Sequence, residues 1–226
     1  MTNLPHAGSI RVWDLPTRLF HWALVVLIAV QYASGEFGWL SMEWHFRLGY
    51  ATLALVVFRV LWGFAGSQTS RFVDFVRGPR TVTRYVAAAL RGDVAHAPGH
   101  NPLGGWSVVL MLASVALQAI TGLFSSDDIS EDGPLVARAS QATVSWMTSV
   151  HHLNRYALLL LIALHVGAVL LHGLLRNDNL VAPMLHGRAR FERARALRFV
   201  SSWRALALSL LSAGMVWALV AWGEAN

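Results

Sequence analysis

The sequence contains no cysteine and no lysine. Without thiols there is no disulfide, no iron–sulfur cluster, no thiolate zinc site and no covalently attached haem, so a metal or tetrapyrrole would have to be held by His, Met or carboxylate. All 18 basic side chains are arginine, a codon-level bias that no single site explains. Charge of either sign is scarce. Charged residues make up 13% of the 226 positions against 55% hydrophobic, and the mean hydropathy is +0.48. A soluble domain carries about twice that share of charge, so the composition is that of an integral membrane protein.

What is present is a set of apolar runs. Five are long enough, or nearly so, to cross a bilayer: 19–34, 44–65, 106–124, 153–175 and 203–222. The expected fold is all-α, a four-helix transmembrane bundle with a fifth, carboxy-terminal transmembrane helix. The expected organisation is a cytoplasmic amino terminus at 1–18, a four-helix membrane domain at 19–175 with a link at about 66–104, a basic link at 176–202 and the fifth helix at 203–222. In DLPTRLFHW, Pro16 or Thr17 falls in the first turn of the first span. Ala33-Ser34-Gly35 is weakly cleavage-like, but a leader ending there would be long and would carry His21 in its apolar core, so a retained span is expected.

Charge sets the expected orientation. Arg11 and Arg18 precede span one; Arg71, Arg77, Arg80, Arg84 and Arg91 follow span two; Arg176, Arg188, Arg190, Arg193, Arg195 and Arg198 follow span four. These outweigh Asp14, Asp74, Asp93, Asp178 and Glu192 in the same segments. The alternate links carry Glu36 and Glu43, then Asp127, Asp128, Glu131 and Asp132 against Arg138. The positive-inside rule therefore predicts an amino terminus in the cytoplasm and a carboxyl terminus on the outer side of the membrane. In the first long link, GPRTVTRYVAAALRG has Pro79 to open a helix and Gly92 to stop it, with Val82, Tyr85, Val86, Ala89 and Leu90 on one face. That pattern predicts an amphipathic helix on the inner leaflet, so the expected partner of its arginines is membrane lipid and not nucleic acid.

Ten histidines remain to be placed. His6, His96, His100 and His186 fall in polar links and are expected to be solvated. His21, His45, His151, His152, His165 and His172 lie in or beside spans, where an ionisable group is a functional hypothesis by default. His151 and His165 are fourteen residues apart, which brings both to one helix face within about 40° and separates them by roughly 21 Å. With spans alternating in direction, His45 and His151 fall at the outer level, while His21 and His165 both lie about 18 Å below it. Two pairs at two levels are what two bis-histidine haems in a helix bundle require. Zinc usually needs three or four ligands, and neither level offers carboxylates or thiolates to complete a set. His152 points about 140° away from His165, whereas His172 lies within about 20° of its face but has no partner at its depth.

Nearby residues can serve the same cofactors. Gly49, one turn after His45, would let a porphyrin approach the backbone. Arg59 lies at the inner level, where a propionate would neutralise it, and Arg155 and Arg47 stand in the same relation to the outer level. The motifs RVWDLPTRLFHW, WHFRLGYATLALVVFRVLWGFAGS, GHNPLGGW, TGLFSSDDI and HHLNRYALLLLIALH together resemble the bacterial cytochrome b561 family, in particular its branch of b-type cytochrome subunits of nickel–iron hydrogenases, over residues 10 to about 190. That resemblance implies a four-helix core with two non-covalent b haems and electron exchange with the quinone pool. Its ligand positions match His21, His45, His151 and His165. The family position after the first helix-four histidine is often acidic and here is His152, so the choice between His151 and His152 stays open.

The function expected is electron transfer across the membrane between quinone or quinol and a periplasmic partner, a c-type cytochrome or a redox enzyme subunit. The alternatives are an oxidoreductase acting on a small molecule such as superoxide at the outer haem, and a non-redox anchor whose histidines only bridge helices. Candidate quinone contacts are His172, Arg59, Trp62 and Phe64. The direction of flow and the oligomeric state stay open.

Overall fold

Asp14 starts the first helix. It is 1% exposed, and its Oδ1 accepts the Thr17 backbone N–H at 2.8 Å while its Oδ2 accepts the Trp62 indole N–H at 3.2 Å. One carboxylate thus caps α1 (Leu15–Phe37) and ties it to α2 (Met42–Ala65). Removing it strands a buried indole donor as well as a cap. Asp14→Ala should therefore cost about 2–4 kcal/mol, and Asp14→Asn less, in thermal unfolding of the detergent-solubilised protein.

The computed structural model describes residues 8–92, 99–126, 131–176, 179–191 and 196–225. His6, His96, Asp93, Asp127, Asp128, Asp178, Glu192, Arg193 and Arg195 lie outside them. After α2 come a short α3 (Phe72–Phe75) and α4 (Pro79–Leu90), then α5 (Pro102–Gly122), α6 (Gln141–Arg176), α7 (Val181–His186) and α8 (Ser202–Glu224). A strand β1 (Gly8–Arg11) pairs antiparallel with β2 (Arg188–Phe191). Five of these helices, α1, α2, α5, α6 and α8, are long and apolar enough to cross a membrane. The protein is an all-α, multi-pass membrane bundle.

The start of α6 differs from the reading of the sequence. α6 begins at Gln141, well before the apolar run opens at 153, because Gln141–Ser149 is polar but fully helical. Hydropathy marks where a helix meets lipid, whereas the backbone continues beyond it. The link helix α4 starts at Pro79 as its sequence predicts, and Gly92 follows in the left-handed region at φ 78°.

α2 is the centre of the bundle. It packs on α1, α5 and α8, and its buried residues Leu53, Val56, Phe58 and Trp62 seed three apolar clusters. α5 carries α6, while α1 and α6 scarcely touch and leave a cleft between them. α8 belongs to the packed bundle: Val216 joins the cluster of Leu53, Leu123 and Leu135, and Ala205 packs with Phe58 and Trp62. Its far end is tied down by Arg138, which donates to the carbonyls of Trp222 at 2.6 Å and Ala225 at 2.9 Å and lies 4.3 Å from the Trp222 ring centre.

The arginine-rich segments meet at one end of the bundle. Thr69 donates to the Val12 carbonyl at 2.7 Å, the Gln68 N–H donates to the Arg198 carbonyl at 3.0 Å, and Arg18 donates to the Leu185 carbonyl. With the β1–β2 ribbon, these bonds draw the amino-terminal segment and both long links onto the same basic end. The loop 131–140 and the α1–α2 turn lie at the other, acidic end.

Candidate functional site

Two pairs of imidazoles face each other across the cleft. His45 on α2 and His151 on α6 stand with ring centroids 6.4 Å apart, and His21 on α1 and His165 on α6 are also 6.4 Å apart. Two imidazoles on either side of one metal place their ring centres about 6 Å apart, from a metal–nitrogen bond of about 2 Å and about 1 Å more to each ring centre. The spacing at both levels thus fits a shared metal. Among the described residues, no three His, Asp or Glu side chains gather into a metal site. Each level offers two imidazoles, a donor set suited to a macrocycle that supplies the other four ligands.

The His45–His151 pair lies in an open cleft lined by α1, α2, α5 and α6. Its walls are glycines where the histidines sit. A Cβ on Gly122 would fall 3.2 Å from His151 Cε1, and one on Gly35 would fall 3.3 Å from His45 Cε1. Gly49 lines the same cleft and abuts Gln31, whose Nε2 would lie 3.4 Å from an added Cβ. The His151 Nδ1–H donates to the Gln118 carbonyl at 2.9 Å, which fixes the ring and leaves Nε2 free to ligate. His21 holds an Nδ1 sealed from solvent without a hydrogen-bond partner among the described residues.

Polar amides absent from the candidates named above support this wall. Asn154 donates to Gln118 Oε1 at 2.7 Å and to the Ser114 carbonyl at 3.0 Å, and accepts from the Ser114 hydroxyl at 3.1 Å. Thr52 donates to Gln31 Oε1 at 2.8 Å. The available signal was an amide inside an apolar run, which asks for a partner as a histidine does.

The remaining candidates separate. His152 is exposed at the rim of the cleft, with its ring 6.1 Å from that of His151. His172 turns its Nδ1 onto the Ala168 carbonyl of its own helix at 3.0 Å. Arg155 reaches across the cleft to Glu36 at 2.6 Å and donates to the Tyr156 hydroxyl at 2.7 Å. Arg47 is drawn away from the cleft: it pairs with Glu43 one turn back on the same helix and lies over Trp44. Arg59 is buried, 3% exposed. Trp62 and Phe64 form no shared quinone surface, since Trp62 is sealed and bonded to Asp14 while Phe64 is 73% exposed and meets Phe72. His186 is exposed as expected, but His100 is not solvated: it packs against Trp13 and Phe75, because the turn before α5 folds back onto the bundle.

Comparison with known proteins places the chain in a family. A family model described as prokaryotic cytochrome b561 matches residues 12–187. A protein of Bradyrhizobium diazoefficiens described as a probable Ni/Fe-hydrogenase B-type cytochrome subunit is 21% identical over 220 residues, covering 81% of this chain and 87% of that protein. The family match takes in α1 through α7 and both histidine pairs, and the chain belongs to the prokaryotic cytochrome b561 family of b-type cytochromes.

Proposed function

We propose that this cytochrome carries electrons across a bacterial inner membrane through two b haems, the outer held by His45 and His151 and the inner by His21 and His165. The observation that carries this reading is the equal 6.4 Å spacing of the two pairs. When bound, each haem supplies a one-electron ferric/ferrous couple. The protein's part would be to hold the paired imidazoles facing one another, to fix the His151 tautomer through the Gln118 carbonyl, and to surround the couple with apolar helix faces. Arg155 and Arg59 would serve the propionates of the outer and inner haem, and Gly49 would give the outer ring room beside α2.

The arginine-rich end lies in the cytoplasm on this reading, and the acidic end faces the periplasm. Electrons pass between the quinone pool and a redox enzyme subunit. A hydrogenase is the natural candidate, because the Bradyrhizobium relative is described as a subunit of one. A c-type cytochrome docking by charge on the acidic end is the alternative partner.

The test is colour and count. Protein purified from membranes should show a reduced b-type α band and two haems per chain by pyridine haemochrome. A colourless, folded preparation would leave the histidines as helix bridges and the chain as a non-redox anchor. One haem per chain would remove the two-level reading.

A further inference from the structure

Arg59 lies in the bundle with its Nη1 sealed from solvent and without a hydrogen-bond partner. Its guanidinium carbon sits 5.2 Å from the Phe72 ring centre and 5.9 Å from that of Phe75. The Phe75 ring also meets His100, at 4.6 Å between centroids, and Trp13 closes on the His100 ring at 4.8 Å. His100 Nδ1 is likewise sealed and unpartnered. Burial, then the nearby charge of Arg59, then His165, push His100 down to about 3, so it is a neutral imidazole at pH 7.

Two polar groups beside one aromatic ring thus each hold a sealed nitrogen that bonds nothing among the described residues. Asp14, an acid within electrostatic reach of Arg59, has both oxygens committed to Thr17 and Trp62. Among the described residues Asp14 is the acid that acts on Arg59, but it makes no bond to the guanidinium. A buried guanidinium without a bonded anion is costly, so the site asks for negative charge and not merely for a hydrogen-bond acceptor. The GHNPLGGW turn builds the seat. Asn101 caps α5 by accepting from the Gly104 N–H at 2.7 Å, and a Cβ on Gly105 would fall 2.7 Å from the Phe75 carbonyl oxygen. Glycine at 105 lets α5 press against α3 and fixes His100 beside Phe75.

We propose that Arg59 and His100 together receive one ionised carboxylate, a propionate of the haem at the His21–His165 level. This rests on the two-haem reading above and gives the GHNPLGGW turn its role. A quinone carbonyl would satisfy His100 but would bring no charge to Arg59.

The experiment uses purified wild type and the variants R59Q, R59K, H100Q and, as a surface control, R80Q. Haem is counted and each midpoint potential is titrated. Apoprotein is also reconstituted with haem and with haem dimethyl ester, whose propionates carry no charge. Wild type should hold two haems and prefer haem to the ester at the inner level by on the order of tenfold or more. In R59Q and H100Q that preference should shrink, and the inner midpoint should fall in R59Q as a positive charge is lost. R59K should lie between, and R80Q should match wild type. If R59Q is too unstable to purify, H100Q and the ester comparison on wild type decide the matter. Two haems with an unchanged inner preference in R59Q or H100Q overturns this proposal alone. A change confined to quinone reduction would make the pocket a quinone site and overturn it too. Fewer than two haems in wild type overturns the two-haem reading itself.

Discussion

Haem content should fall from two to one when either His151 or His165 is replaced by alanine, and the two variants should lose different haems. Both side chains come from α6, but each faces a different helix, His45 on α2 and His21 on α1. Changing a group that only orients a ligand typically costs 10–100-fold in metal affinity, so removing the ligand itself costs more. The matching partner variants, His45→Ala and His21→Ala, should reproduce the same two losses, and the double variant of His151 and His165 should bind none. His152→Ala and His172→Ala should keep both haems, because one ring lies at the rim and the other is bonded to its own helix. Pyridine haemochrome gives the count, and low-temperature α-band spectra identify which haem is gone. Loss of a haem in His152→Ala but not in His151→Ala would reassign the outer ligand.

Gly63→Ala should lower stability by about 3 kcal/mol, the upper part of the range for overpacking. A Cβ there would fall 2.0 Å from the Phe72 ring, far inside contact distance. The ring has little freedom to retreat. It is pinned by Phe64 at 5.4 Å and Phe75 at 5.7 Å and covers the Arg59 guanidinium. Gly214 on α8 is the control, since nothing lies within 4 Å of a Cβ placed there. Gly214→Ala should be stabilising by up to about 1 kcal/mol through helix propensity alone. Thermal midpoints of the two variants in one detergent test the contrast, and equal midpoints would sink it.

The five spans were legible because a bilayer imposes one strong rule, an apolar run of fixed length, on every crossing segment. Helix periodicity and the alternating direction of the spans also told which imidazole rings approach one another. Other features left weaker marks. The ribbon joins four-residue strands far apart in the chain, too short to show alternation. His100 sits in a polar link, and its burial depends on a tertiary fold-back created by Gly105 and Phe75, which no local window contains. Arg47 was read by depth alone, but Glu43, one turn away on the same helix, offers a nearer partner than the cleft does. Intramembrane amides such as Gln118 and Asn154 could have been found by the rule that picked out the histidines, applied to uncharged polar groups.

The β1–β2 ribbon also sets an order of events during synthesis. Residues 8–11 are made first, yet their partner strand, 188–191, emerges about 180 positions later. At about 5–20 residues per second, the first strand waits on the order of ten to forty seconds. In that interval α1, α2, α5 and α6 are all made, while the basic end still lacks the strand and the α7 carbonyl that will hold the amino-terminal segment in place. The basic end is therefore fastened only after those four helices have been made.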